Sequence, residues 1–191
     1  TIMKSYVYTI DSLNTLNIGL QEENKEVKTT LSKERGRIKE LRQTNEGLSG
    51  KVELASRLKI NSVNAYGVRV KRNMTGTDTR RSNRADKIRV CFNVEENLVA
   101  EAGEKNFYIR IIAPDGKILT DREDVEPYFT YDGLEGVYSD KYTLKYANKP
   151  VSDVCLDWAK PEDEFDFPSG TYEIFIYAEN YRIGEASVEL K

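Results

Sequence analysis

The chain has 191 residues, with 29 lysines and arginines against 32 aspartates and glutamates and a net charge of −3. It has no histidine and only two cysteines, which excludes imidazole triads, histidine-ligated metals and a fold built on several disulfides. The composition therefore predicts a protein that is not an enzyme and needs no cofactor. No nucleic-acid partner is expected, because the chain as a whole is slightly acidic.

The first segment, from Met3 to about Ala55, repeats its apolar residues every seven positions, which is typical of a coiled coil. With Met3 at position a, the a and d positions predict an oligomer interface formed by Met3, Tyr6, Ile10, Leu13, Asn17, Leu20, Asn24, Val27, Leu31, Ile38, Leu41, Asn45, Leu48 and Val52. Glu34 is the charged exception at a d position. A stripe this narrow indicates a helix over residues 1–58 that pairs with another helix, because a globular core needs a wider apolar face.

We call the a and d positions of this helix the seam. Three seam positions carry asparagine, namely Asn17, Asn24 and Asn45, and all three are a positions. An asparagine at this position bonds its twin across a parallel two-stranded interface, so a parallel homodimer is favoured. The flanking charges do not settle the orientation. A trimer, or an antiparallel hairpin with an upstream helix, stays open as an alternative.

Residue 1 falls inside the helical pattern with no capping residue before it, so the sequence is expected to be a fragment of a longer chain. No apolar run approaches the roughly 18 residues that cross a bilayer. A membrane is therefore expected as a partner only through a segment absent from this fragment.

Beyond Leu58 the apolar period changes from seven residues to two, which indicates strands. The predicted strands are 60–72, 86–94, 106–113, 117–120, 136–147, 151–158, 171–179 and 183–190. They are separated by turn signals, with no helical stretch between them. The predicted fold class is α + β in separate domains, a long coiled-coil helix followed by an antiparallel Ig-like β-sandwich over residues 59–191.

The Ig-like assignment depends on the segment FPSGTYEIFIY, which places Tyr172 after a Pro-x-Gly turn at the start of an alternating strand. This resembles the tyrosine corner of immunoglobulin-like domains. The tryptophan and the inter-sheet disulfide usual in such domains are absent from their places. Trp158 lies in step with Val154 and Leu156, so we expect it in the core.

The whole chain also resembles a family of Bacteroidetes proteins with no known activity. The segments that carry this resemblance are MKSYVYTIDSLNTLN in the helix, the strand KIRVCFNV, the turn RIIAPDG and the final hairpin. The resemblance implies a coiled coil before a small β-sandwich in an envelope-associated protein. Localisation at the cell envelope, periplasmic or membrane-anchored, follows from it as an expectation.

The two cysteines, Cys91 and Cys155, alternate out of phase with the apolar residues of their strands, so both point away from the core. Two free thiols are the simpler expectation. If the two strands are antiparallel neighbours, as the second and fifth strands of an Ig-like sheet are, the cysteines face each other and a disulfide is the alternative.

Two predicted loops concentrate charge of one sign. Arg80, Arg81 and Arg84 form the main basic concentration, in a predicted loop. The simplest expectation is a solvated loop, the next is a protein-contact surface, and a patch for nucleic acid or lipid headgroups is the remaining alternative. The acidic loop at residues 162–166 lacks the spacing and central glycine of a calcium loop, so it is expected to be solvated.

These observations predict a structural or protein-interaction module, in which the coiled coil oligomerises and spaces the Ig-like domains. The alternative is a carbohydrate- or ligand-binding module. Its sugar platform would be formed by Tyr128, Phe129, Tyr131 and Tyr138. Exposure of these rings would favour the glycan alternative, and burial would weaken it.

Overall fold

The computed structural model of the chain describes residues 2–120, 127–161 and 166–191. The chain divides into two compact units, Thr1–Leu54 and Ala55–Lys191. Each unit is described by itself below.

The first unit is formed by the long helix α1 (Ile2–Ser56), and every described side chain from Met3 to Ala55 is exposed. Several threonine hydroxyls donate to backbone carbonyls one turn earlier, for example Thr9 to Ser5 at 2.9 Å and Thr44 to Glu40 at 2.9 Å. These local bonds satisfy polar groups without contributing apolar burial. Among the described side chains of this unit, none is buried against a packing partner.

The second unit is a β-domain. Its described strands are β1 (Ile60–Val70), β2 (Gly76–Thr79), β3 (Lys87–Val94), β4 (Gly103–Ile112), β5 (Tyr128–Tyr131), β6 (Leu134–Val137), β7 (Asp140–Tyr146), β8 (Val151–Ala159), β9 (Gly170–Ala178) and β10 (Tyr181–Leu190). All strand pairs are antiparallel. This confirms the predicted fold class of a long N-terminal helix followed by an antiparallel β-sheet domain.

The strands form two four-stranded sheets, with the orders β2-β1-β3-β8 and β10-β9-β4-β7, and β5 pairs with β6 as a separate hairpin. Alternate residues of both sheets point into one core, as the two-residue period requires. In the first sheet, Val90 of β3 is fully buried, and in the second sheet Ile109 and Ile174 are fully buried. Trp158 is 2% exposed, so the prediction that it lies in the core is confirmed.

The core also includes Leu58, which is 3% exposed and lies between α1 and β1. Its backbone N–H donates to the Tyr181 hydroxyl at 2.6 Å. The predicted domain boundary at residue 59 therefore lies just inside the packed unit, which begins at Ala55.

Tyr172 stands at the start of β9 and is fully buried. Its hydroxyl donates to the backbone carbonyl of Pro168 at 2.7 Å. This is the hydrogen bond that defines a tyrosine corner, and it fixes the turn that precedes β9.

Several predicted strands differ from the observed ones. Residues 117–120 form no strand, because the Pro-Asp-Gly turn folds them back on β4 with a single isolated bridge between Ile112 and Ile118. The predicted strand 136–147 is broken at Ser139, whose N–H donates to the carbonyl of Ile109 and whose hydroxyl accepts from the N–H of Ile111. The basic segment predicted as a loop contains β2 and a 3-10 turn over Ser82–Arg84.

Candidate interaction site

The a and d positions of α1 form a mostly apolar seam, which Asn17, Asn24, Asn45 and Glu34 interrupt. Its members include Leu13 at 60% exposure, Leu31 at 47% and Leu41 at 61%. Large apolar side chains at heptad spacing are typical of a helix that pairs with another helix. The assignment of the seam as a homo-oligomer interface stays a prediction.

Two of the three seam asparagines, Asn17 and Asn24, make local hydrogen bonds within α1. Asn24 Nδ2 donates to the Leu20 carbonyl at 3.0 Å, and Asn17 Oδ1 accepts from Gln21 Nε2 at 3.3 Å. Both contacts are solvent-exposed. Each amide is therefore able to exchange its local bond for one to a second chain.

Cys91 and Cys155 are register partners on β3 and β8, with their sulfur atoms bonded and their Cα atoms 4.1 Å apart. The expectation of two free thiols was wrong, because antiparallel pairing of β3 with β8 puts both side chains on one face at the same level. Cys91 is half-buried and Cys155 is exposed. The two-residue period predicts that both side chains lie on the outer face of their strands. The disulfide itself depends on the pairing of β3 with β8, which the period does not predict.

Beside the disulfide, one carboxylate joins two cations on the outer face of the first sheet. Asp157 accepts from Arg89 Nε at 2.6 Å and Nη2 at 2.7 Å, and from Lys87 Nζ at 2.5 Å. Burial raises the pKa of Asp157, but the hydrogen bonds from Arg89 and Lys87 outweigh it, so the pKa lies below its usual value. The hydrogen bond to Asp157 raises the pKa of Arg89. Strand β8 is therefore held to β3 by these ion pairs and also by the disulfide.

The predicted contact residues Arg80, Arg81 and Arg84 are all exposed and lie immediately after β2. The chain here is tied to the end of β10, because Lys191 N–H donates to the Arg80 carbonyl at 2.6 Å and Ser82 N–H donates to the Lys191 carbonyl at 2.8 Å. The backbone that carries the three arginines is therefore hydrogen-bonded to the C-terminal end of the β-domain.

A groove of about 590 Å³ lies beside Arg80, between β1, β2 and β10. Its lining is largely polar and carries both signs of charge; it is formed by Ala65, Tyr66, Gly67, Asp78, Thr79, Arg80, Ser187, Val188 and Glu189. Gly67 is required at its base, since a Cβ there would come within 2.7 Å of the Thr79 carbonyl oxygen and 2.8 Å of Leu190 Cδ2. Sequence reasoning missed this groove, because it depends on the approach of β1 to β10.

The four aromatic residues of the glycan alternative do not form an open platform. Phe129 is 6% exposed and stacks on Tyr108 and Tyr131 with ring centroids 4.9 and 5.1 Å apart. Tyr131 and Tyr138 are half-buried, and Tyr128 is the exposed member at 57%. The β5–β6 hairpin therefore covers the outer face of β4 and β9 with its rings, which weakens the glycan alternative.

The acidic loop lies mostly outside the described residues. Glu162, Asp163 and Glu164 belong to the part that is not described, while Asp166 is exposed. Among the described residues, no group of three or more cysteine or carboxylate side chains is placed to hold a metal ion. No helix in the described ranges combines the length and the apolar character needed to span a membrane.

Two family matches cover most of the chain. Residues 1–46 match a coiled-coil region of unknown function, DUF8429. Residues 61–191 match a separate domain of unknown function, DUF8428. The coiled-coil match agrees with the heptad pattern of α1. No curated protein matches the sequence.

One solved structure with a partly similar fold is the Pseudomonas fluorescens alkylpurine DNA glycosylase AlkC, bound to DNA containing an abasic site analog. It is 13% identical, the TM-score is 0.40, and the likeness covers 71% of this chain and 31% of that chain. The chain thus spans about a third of the glycosylase. A likeness at this TM-score carries no argument about substrate or mechanism.

One prediction is corrected here: the statement that the chain is not an enzyme is withdrawn. The absence of histidine removes imidazole chemistry from the chain and does not exclude the enzyme class.

By the match over residues 61–191, the chain belongs to the DUF8428 family, whose β-domain here follows a coiled-coil region.

Proposed function

We propose that α1 forms a parallel homodimeric coiled coil that oligomerises and spaces Ig-like β-domains, whose surfaces contact a protein partner. The observation that supports this most directly is the exposed seam of α1, which is apolar at heptad spacing and interrupted by Asn17, Asn24 and Asn45. The match of residues 1–46 to a coiled-coil region adds support.

In the dimer, α1 of a second copy would bury the apolar seam residues that are exposed on a single copy of α1. Each leucine or isoleucine removed from water contributes about 1.5–3 kcal/mol, so a seam of this length stabilises a pair strongly. The asparagine amides are costly in an apolar interface unless each one meets a partner. A parallel, in-register pair is the arrangement in which every asparagine meets its own twin.

Two observations support an Ig-like domain. The order β1-β3-β8 in one sheet and β10-β9-β4 in the other corresponds to strands A, B, E and G, F, C of such domains. The hydrogen bond from the Tyr172 hydroxyl to Pro168 lies at the start of the strand that corresponds to F. Dimerisation would double such a domain, so two weak partner sites would act with avidity.

Localisation at the cell envelope, in a protein of Bacteroidetes type, is also part of the proposal. Disulfides persist in oxidising compartments such as the periplasm, so the bond between Cys91 and Cys155 favours an exported protein. The resemblance of MKSYVYTIDSLNTLN and KIRVCFNV to envelope-associated proteins points the same way.

The proposal is tested by the mass in solution of the full chain and of the fragment Ala55–Lys191, measured by analytical ultracentrifugation. The fragment retains Leu58 and therefore the whole described core. We expect a dimer for the full chain and a monomer for the fragment. A dimeric fragment, or a monomeric full chain at micromolar concentration, would overturn the proposal. A full-chain variant with Leu20→Asp and Leu41→Asp is the matched control, and it should be monomeric.

A further inference from the structure

The β1–β2 hairpin and the turn after it carry an excess of positive charge. Between residues 69 and 84 there are six cationic side chains and a single carboxylate, Asp78, although the whole chain has a net charge of −3. The cations are Arg69, Lys71, Arg72, Arg80, Arg81 and Arg84, and all six are exposed. We call these residues the basic hairpin.

Within the described parts of the chain, none of the salt bridges involves a cation of the basic hairpin. The salt bridges of the domain involve other cations, including Lys87, Arg89 and Lys160. Asp86, the next carboxylate along the chain, is already engaged by Lys160 and by the N–H of Val70. Asp78 and Glu189 line the groove beside Arg80 and offset part of this charge, but the net charge of the basic hairpin stays positive. A concentrated net positive charge attracts a polyanionic surface.

The tip of the hairpin presents an apolar side chain to solvent. Met74 is 85% exposed and has a φ of 63°, in the left-handed region that a residue with a side chain seldom occupies. The turn is held by hydrogen bonds from Met74 N–H to the Lys71 carbonyl at 2.8 Å and from Thr75 Oγ1 to Asn73 Oδ1 at 2.6 Å. The methionine thus lies exposed in a hydrogen-bonded turn, two residues after Arg72.

We propose that the basic hairpin binds the surface of an anionic lipid bilayer, with Met74 inserted among the headgroups and the cations on lipid phosphates. An apolar side chain that protrudes between cations fits the interfacial layer, where apolar and charged groups are buried side by side. A single-stranded nucleic acid is a poorer fit, because the basic hairpin has no aromatic ring to stack on bases. An acidic protein surface would also attract the cations, and the test below distinguishes it from a bilayer.

The test measures co-sedimentation of the full chain with vesicles of phosphatidylcholine containing 30% phosphatidylglycerol, against pure phosphatidylcholine vesicles. We expect binding to the anionic vesicles that falls as salt is raised. Lys71→Gln with Arg72→Gln should weaken the partition coefficient by roughly 30-fold, as expected for two cations near an anionic surface. Met74→Asn, which tolerates the left-handed φ, should weaken it by roughly 5-fold.

The matched controls keep the same chemistry elsewhere on the domain. Lys145→Gln with Lys149→Gln removes two exposed cations, and Leu98→Asn removes a side chain that is 79% exposed. Both controls should bind like the unchanged chain, and thermal unfolding confirms that each variant is folded. The proposal is overturned if hairpin and control variants bind alike, or if neutral vesicles bind equally well. It is also overturned if duplex DNA or poly-aspartate binds as tightly as the anionic vesicles at the same salt and Met74→Asn leaves the binding to those vesicles unchanged.

Discussion

Cys91 and Cys155 lie directly opposite each other on β3 and β8, with their sulfur atoms bonded across the outer face of the sheet. Strand β8 is the edge of this sheet, so β3 is its hydrogen-bonded neighbour. The bond joins two strands that are 64 residues apart in the chain. It therefore restrains a large part of the β-domain in the unfolded state.

Reduction of this disulfide should lower the free energy of unfolding. Closing a loop of this length contributes about 4 kcal/mol in the chain-entropy description. Urea unfolding with and without dithiothreitol measures the effect. The double variant Cys91→Ala with Cys155→Ala is the control, since its stability should not respond to the reductant. A reductant effect below about 1 kcal/mol on the unchanged chain would contradict the prediction.

Tyr172→Phe should lower the free energy of unfolding by about 1 kcal/mol, because the Pro168 carbonyl loses a buried donor at 2.7 Å. Tyr142→Phe, at a residue that is 41% exposed, is the matched control and should change stability little. Thermal unfolding at neutral pH compares the two variants. Equal melting temperatures would show that the tyrosine corner contributes nothing to stability.

The same tyrosine predicts an alkaline instability. Burial raises the pKa of Tyr172 to about 12, helped by the nearby charge of Asp115. Because the folded-state pKa lies above the unfolded value near 10, this stability is fully present below pH 10 and is lost as the pH rises through 12. The slope of unfolding free energy against pH should be flatter in Tyr172→Phe over this range. Parallel slopes for the two proteins would contradict the prediction.

Asp157→Asn should destabilise the β-domain by about 1–2 kcal/mol, since Arg89 and Lys87 lose a charged acceptor at a half-buried site. The folded-state pKa of Asp157 is depressed, so its contribution is present above the unfolded value near 3.9 and is lost as pH falls through the folded value. The variant should therefore lose less stability on acidification than the unchanged chain. Asp153→Asn, an exposed change on the same strand, is the control.

Replacing Asn17, Asn24 and Asn45 with leucine should raise the melting temperature of the α1 coiled coil. The variant should also form a mixture of dimers and higher oligomers. Three unfavourable buried amides would be removed, together with the polar layers that select strand number and register. Analytical ultracentrifugation gives the oligomer distribution, and circular dichroism at 222 nm gives the melting temperature. A triple variant that stays a single dimer with lower stability would contradict the parallel arrangement.

The sequence alone determined those features that depend on local periodicity. A seven-residue repeat specified a long helix with an unpartnered seam, because heptad spacing keeps one face in line over many turns. The change to a two-residue period specified an antiparallel β-domain and placed Trp158 in its core. The segment FPSGTYEIFIY located Tyr172, since a tyrosine corner is a local turn followed by a strand.

The tertiary structure decided what depends on contacts between distant segments. The sequence placed Cys91 and Cys155 on outward faces, but only the pairing of β3 with β8 brought the sulfurs together. The break at Ser139 arises from its bonds to β4, and the burial of Phe129 arises from the hairpin closing over β4 and β9. Strand pairing and ring stacking join residues tens of positions apart, and the period of a single strand carries no information about its neighbour.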